Sequence, residues 1–192
     1  MIERQSDKTE PWEQSLKRQL PMLGHRNWIV VADSAYPAQA NPGIETIATT
    51  ADHLEVLKAT LDAIGKSRHV RANIYLDAEF KLVAEQDGPG INRFRQKLVR
   101  LIGNRETRVL PHDQIIARLD ESAKIFRILI LKSTLAIPYT SIFLELDCGY
   151  WTPQAEERLR LSMGRPPFAS VAREQISDGE LLETKMSSGG NA

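Results

Sequence analysis

Five consecutive apolar residues, Trp28-Ile29-Val30-Val31-Ala32, stand between Gly24-His25 on one side and Asp33 with Pro37 on the other. A run this short, β-branched in its middle and closed by turn-forming residues, reads as a strand over residues 27–33. It is apolar on both faces, so it needs a layer of helices on each side. The same strand puts a histidine at one end and a carboxylate at the other, roughly 20–25 Å apart at about 3.3 Å per residue.

The flanking sequence supplies those helices. Trp12, Leu16, Leu20 and Leu23 recur at helical spacing over residues 10–23, with Pro21 interrupting the last turn and Gly24 placed to stop it. Over residues 52–65, Asp52 and Glu55 have the spacing of a capping box, Leu54, Leu57, Leu61 and Ile64 form the apolar stripe, and Gly65 marks the stop. Ile91, Phe94, Leu98 and Leu101 make a third stripe, ended by Gly103. Pro111 opens a fourth helix, with Ile115, Ile116 and Leu119 facing inward and His112 in its first turn.

Between these helices, strands are expected over residues 70–76, 107–110, 125–131 and 142–147, while Pro37, Pro42 and Gly43 mark one loop and residues 87–90 another. The segment 132–141 is too short for a crossover helix, so the last two strands are expected to pair with each other. The result is a three-layer α/β/α domain with a mixed, mostly parallel sheet and a C-terminal antiparallel hairpin, spanning residues 1–151. Residues 152–192 form a C-terminal extension, partly helical or disordered: residues 153–163 suit a charged helix, whereas Pro166-Pro167 and the Ser-Gly-Gly-Asn ending suit a tail with little to bury.

Composition removes several classes of function. Lysine and arginine total 25 against 25 aspartates and glutamates, with no basic cluster, which argues against nucleic acid and against an anionic membrane surface. Cys148 is the only cysteine, so no internal disulfide and no cysteine-based metal site can form. The four histidines, His25, His53, His69 and His112, fall at no metal-ligand spacing, and no glycine-rich phosphate loop or nucleophile elbow is present. No metal and no cofactor is expected. The polar N-terminal residues lack a secretory core, and the apolar runs are far below the roughly 20 residues that span a bilayer, so a soluble, cytoplasmic protein is expected.

Proton transfer by side chains remains. Histidine titrates near neutral pH, which makes His25 and His112 candidates, although His25 beside a glycine equally suits a helix-end cap and His112 equally suits plain exposure. Asp33 ends an apolar strand, where open α/β sheets place their ligands, or else it holds the turn before Pro37. Asp77 sits similarly after the second strand, and Tyr139 lies in the connection before the last one. Tyr36 suits a packed wall.

Gly24-His25, then Val31-Ala32-Asp33-Ser34-Ala35-Tyr36-Pro37, then Pro138-Tyr139-Thr140-Ser141-Ile142-Phe143-Leu144 together resemble the ribose pyranase/fucose mutarotase family over roughly residues 16–150. The resemblance implies a cofactor-free isomerase that interconverts cyclic forms of a free monosaccharide. By that likeness His25 matches the general acid, Asp33 a sugar-hydroxyl ligand, His112 a binding histidine, and Tyr139 and Ser141 a Tyr-x-Asn motif in which Ser141 replaces the usual asparagine. Lys132-Ser133 likewise stands where Gly-Glu is common. The family implies a ring-shaped homo-oligomer, a decameric ring among the forms suggested. Strand length independently separates His25 from Asp33, so a site shared between subunits is expected. The alternative is a non-catalytic sugar-binding or regulatory oligomer of the same fold.

Overall fold

The computed structural model describes residues 11–164, and among these one six-stranded sheet organises the chain. Helix α1 (Trp12–Gln19) runs into a 3-10 turn (Leu20–Met22) and delivers the chain to β1 (Trp28–Ala32). There follow β2 (Ile44–Ala48), α2 (His53–Lys66), β3 (Val70–Asp77), α3 (Ile91–Ile102) and β4 (Thr107–Leu110). The chain continues through α4 (His112–Ala123), β5 (Ile128–Lys132), β6 (Ile142–Cys148) and α5 (Pro153–Ser162). The expected ending of the extension, residues 165–192, and the expected polar N-terminus lie outside the described residues.

Local chemistry accounts for most boundaries. Asp52 caps α2 by accepting hydrogen bonds from the amides of Leu54 and Glu55, which satisfies two of the donors left free at a helix start. Glu79 does the same for α4 from a distance, accepting from the His112 amide at 3.0 and 3.2 Å, where a negative charge meets the positive end of the helix.

The strands lie in the order β2-β5-β1-β6-β3-β4. β1 is parallel to β5, β5 to β2, and β3 to β4, whereas β6 runs antiparallel to both β1 and β3. The mixed, mostly parallel sheet is therefore as expected, but the C-terminal hairpin is not. β5 and β6 do run in opposite directions, yet β1 lies between them. The connection from β5 to β6 passes across the carboxyl end of β1, held by Ser133 N–H to Ala32 O at 2.8 Å and Ser34 N–H to Leu135 O at 2.7 Å. Burial explains the order, because a strand apolar on both faces is most stable in the centre. The second correction is β2, which falls where only a loop was expected; it is a five-residue edge strand, largely exposed, directly after Pro42-Gly43.

Every residue of β1 is at most 3% exposed. Ile29 and Val31 meet α1, α2 and α3 on one face, while Trp28, Val30 and Ala32 meet Ile115, Leu119 and Ala123 of α4 on the other. Burying each such large side chain contributes roughly 1.5–3 kcal/mol, so β1 is the anchor to which both edges are referred. Helix α5 buries none of its residues. No helix among the described residues is long and apolar enough to cross a membrane.

Candidate active site at the two edges of the sheet

Alternation along β3 and β6 decides which polar groups can meet. Val70, Ala72, Ile74 and Leu76 of β3 pack on the three-helix side, which leaves Arg71, Asn73, Tyr75 and Asp77 on the α4 side. On β6 the same rule leaves Phe143, Glu145 and Asp147 on that side. One face of the sheet therefore carries a polar row from edge to edge.

At the carboxyl edge of β1, each carboxylate oxygen of Asp33 has one hydrogen-bond partner. Its Oδ2 accepts from the Ser141 hydroxyl at 2.8 Å, its Oδ1 accepts from the Ala35 amide at 2.8 Å, and its own amide donates to Ser141 Oγ at 3.1 Å. Asp77, at the end of β3, meets the ring of His112 with Oδ1 to Nδ1 at 3.0 Å. Its side chain is 0% exposed, against 39% for His112. The second oxygen, Oδ2, is buried and has no hydrogen-bond partner among the described residues. Burial pushes the Asp77 carboxyl up to about 6, with Glu79 and Asp33 pushing the same way, and the nearby His112 ring only partly offsets this. The His112 ring also packs edge-on against Tyr139, centroids 5.6 Å apart, and against Phe143 at 6.5 Å. Tyr139 is 40% exposed and adopts φ 56°, a left-handed conformation that costs a bulky residue about 1–2 kcal/mol. The surrounding loop holds it there through the Thr140 hydroxyl, which donates to Ile137 O at 2.7 Å.

Beneath this edge lies His53, 0% exposed, at the first residue of α2. Its Nδ1 is 2.7 Å from the Ser133 hydroxyl, whose single proton is also within 2.9 Å reach of Ala32 O. Nε2 faces the Thr140 main chain without a well-formed hydrogen bond. Burial drives the His53 ring down to about 4, although Asp33 and Asp52 pull it upward. Tyr36, buried in the wall as expected, has its hydroxyl pushed up to about 12, chiefly by burial.

The opposite, amino edge holds His25. Its Nδ1 is 3.0 Å from Asp147 Oδ1, and Nε2 accepts from Arg26 Nε at 3.3 Å. Asp147 Oδ2 in turn accepts from Arg71 Nε at 3.1 Å and Nη2 at 2.5 Å. Burial pushes the Asp147 carboxyl up, but hydrogen bonds from Arg71 and the Cys148 amide and the Arg71 charge, together with His25, hold it below its ordinary value. Arg26 has φ 72°, the second left-handed residue beside a candidate group. A recess elsewhere on the amino edge, lined in part by Gln19, Leu23, Glu45 and Arg127, contains none of these polar pairs.

Of the residues expected in the site, Asp33, Ser141, His112 and Tyr139 gather at the carboxyl edge, and His25 stands alone at the other. Sequence reasoning missed Asp147 and Arg71 altogether, and it noted Asp77 without pairing it to His112. Their one sequence signal is the polar alternation inside otherwise apolar strands.

The arrangement defines a mixed α/β domain with a histidine–carboxylate pair at each edge of its sheet. No family model matches the sequence, and no curated protein matches it. Solved structures do resemble it. RbsD of Bacillus subtilis complexed with D-ribose has 17% identity and a TM-score of 0.48, covering 76% of this chain and 98% of that chain. The fucose mutarotase of Streptococcus pneumoniae in complex with L-fucose has 19% identity and a TM-score of 0.48, covering 73% and 97%. FucU from Bifidobacterium longum has 19% identity and a TM-score of 0.47, covering 70% and 94%.

Proposed function

We propose that this protein is a cofactor-free mutarotase or pyranase acting on a free monosaccharide, ribose-like or fucose-like, with His25 moving the proton. The observation that carries the reading is the convergence of Asp33, Asp77–His112 and Tyr139 at the carboxyl edge. Opening a hemiacetal ring requires that a proton leave the anomeric hydroxyl and that one reach the ring oxygen, and closing reverses both. Asp33, His112 and Tyr139 are suited to a polyol because they combine acceptors and donors around an aromatic wall. An epimer that misplaces one hydroxyl leaves a buried polar group unpaired.

His25 and Asp33 sit at opposite ends of β1, so a complete site takes His25 from another copy of the chain. The oligomer is in this reading part of the catalyst, and a fully active monomer would overturn it. Saturation-transfer NMR on ribose, fucose and rhamnose tests the activity: the protein accelerates anomer exchange for at least one sugar, and His25→Ala loses about 10²–10⁴-fold of that acceleration. Equal rates with and without the protein sink the reading.

A second reading, a sugar-binding module without catalysis, has one observation in its favour. The Ser141 hydroxyl is committed to Asp33 as both donor and acceptor, so the position that the resemblance makes a sugar ligand faces inward here. Sugar binding without accelerated exchange would select it.

A further inference from the structure

We infer that Asp147 is the positioning residue of His25, holding the ring as its Nδ1–H tautomer so that Nε2 acts first as a proton acceptor. The tautomer follows from the contacts themselves, and only its catalytic consequence rests on the mutarotase reading.

Each ring nitrogen of His25 has a partner of defined sign. An ionised carboxylate only accepts, so Nδ1, 3.0 Å from Asp147 Oδ1, must carry the proton. A guanidinium only donates, so Nε2, 3.3 Å from Arg26 Nε, must be bare. Two independent neighbours thus select one neutral tautomer. Asp147 is itself immobilised: Oδ2 takes two hydrogen bonds from Arg71, and Oδ1 also accepts from the Cys148 amide at 2.8 Å. Arg71 and Asp147 are cross-strand partners in the register of β3 and β6, so the carboxylate is aimed by the sheet rather than by a loop. An outer partner that fixes tautomer and ring orientation is what a proton-transferring imidazole needs.

Arg26 is the longest of these contacts and lies on the reactive nitrogen, so a sugar hydroxyl reaches Nε2 by replacing it. The anomeric O–H proton then passes to Nε2, and the C1–O bond to the ring oxygen breaks with its electron pair going to that oxygen. A C1=O double bond forms, and the ring oxygen takes the same proton back from Nε2. The sum is the open-chain isomer, with no proton gained or lost. Asp147 stabilises the imidazolium between the two transfers. His25 in this scheme is base first and acid second, which sharpens the general-acid role that the resemblance implies.

The test uses the full-length protein labelled with ¹⁵N, with the ring nitrogens of His25 read by two-bond ¹⁵N–¹H correlation. The expected spectrum shows a protonated Nδ1 and a bare Nε2, Asp147→Asn moves population to the Nε2–H tautomer, and Asp147→Glu restores the original one. Anomer exchange in Asp147→Asn falls about 10²-fold in kcat with little change in KM, and Asp147→Glu recovers part of it. An Nε2–H ring in the parent protein, an unmoved tautomer in Asp147→Asn, or a moved tautomer with undiminished kcat overturns the proposal. The parent spectrum decides the tautomer even if a variant misfolds. A protein that accelerates no sugar while showing this tautomer and its shift loses the mutarotase reading and keeps the positioning role.

Discussion

The two histidine–carboxylate pairs have the same 3.0 Å contact through the same ring nitrogen, and their carboxyl groups are displaced in opposite directions. At the amino edge Asp147 is one-quarter exposed and its second oxygen is held by Arg71; at the carboxyl edge Asp77 is fully enclosed and its second oxygen has no partner. A carboxylate with an arginine beside it is held below its ordinary value, and one whose burial a histidine only partly offsets is ionised only above about 6. Contact with a histidine does not decide the behaviour of either acid. What holds the other oxygen does. Asp147 is thereby held as a negative charge beside His25, whereas Asp77 gives up its charge below about 6.

The strongest way to sharpen this contrast is through the pH dependence of stability, where His53 and Asp77 oppose each other. His53 is neutral in the fold down to about 4 and protonates near 6.5 when unfolded, so its contribution weakens the protein as pH falls through that interval, by about 3 kcal/mol in total. Asp77 holds a proton in the fold up to about 6 but only below 3.8 when unfolded, so it strengthens the protein over nearly the same descent, in the opposite sense to His53. His53→Gln, read by urea midpoints from pH 4 to 7, removes the first effect and leaves stability rising toward acid. Asp77→Asn removes the second and leaves it falling. A parallel shift of the whole curve in both variants would contradict the assignment of either group.

A smaller effect belongs to the amino edge. Arg71→Ala frees Asp147 Oδ2, and the side-chain carboxyl, followed by ¹³C NMR, titrates higher than in the parent protein. Because Arg71 is 40% exposed, the loss in stability is below about 1 kcal/mol, and it appears only above the pH at which Asp147 ionises. An unmoved Asp147 titration would show that Arg71 does not govern it. The smallest effect is the control: the exposed helix pair Lys58–Asp62 lies outside both edges, and Lys58→Ala leaves midpoint and anomer exchange where they were.

Much of this architecture is legible in short stretches of sequence. β1, α3, β4 and the start of α2 fall within a residue or so of expectation, because apolar spacing, Asp52 and the glycines at 90 and 103 act locally. β2 was hidden by its exposure and by Pro42-Gly43, and the order of β5 and β6 was hidden because nothing in segment 132–141 says that β1 will lie between its ends. The same distinction divides the site. Asp33 and His25 could be assigned to opposite edges from strand length alone. The pairing of His25 with Asp147 and of Asp77 with His112 depends on the register of β3 against β6 and on where α4 begins, and these are decided by the packed sheet rather than by neighbouring residues.

β6 is the one strand of the six that runs against its neighbours, and for that reason the residue just before it serves Asp33 while Asp147 near its end orients His25. Ser141 and Asp147 are six residues apart, roughly 20 Å of extended chain. The strand is a ruler, longer than any monosaccharide, that forbids the two chemistries from meeting inside one molecule. A slip of one residue would turn Asp147 toward the apolar side and carry Ser141 away from Asp33 in the same movement. On the shared-site reading, the joint that completes a site runs from one molecule's head to another's tail, and such a chain of joints leaves no unmatched half only when it closes on itself.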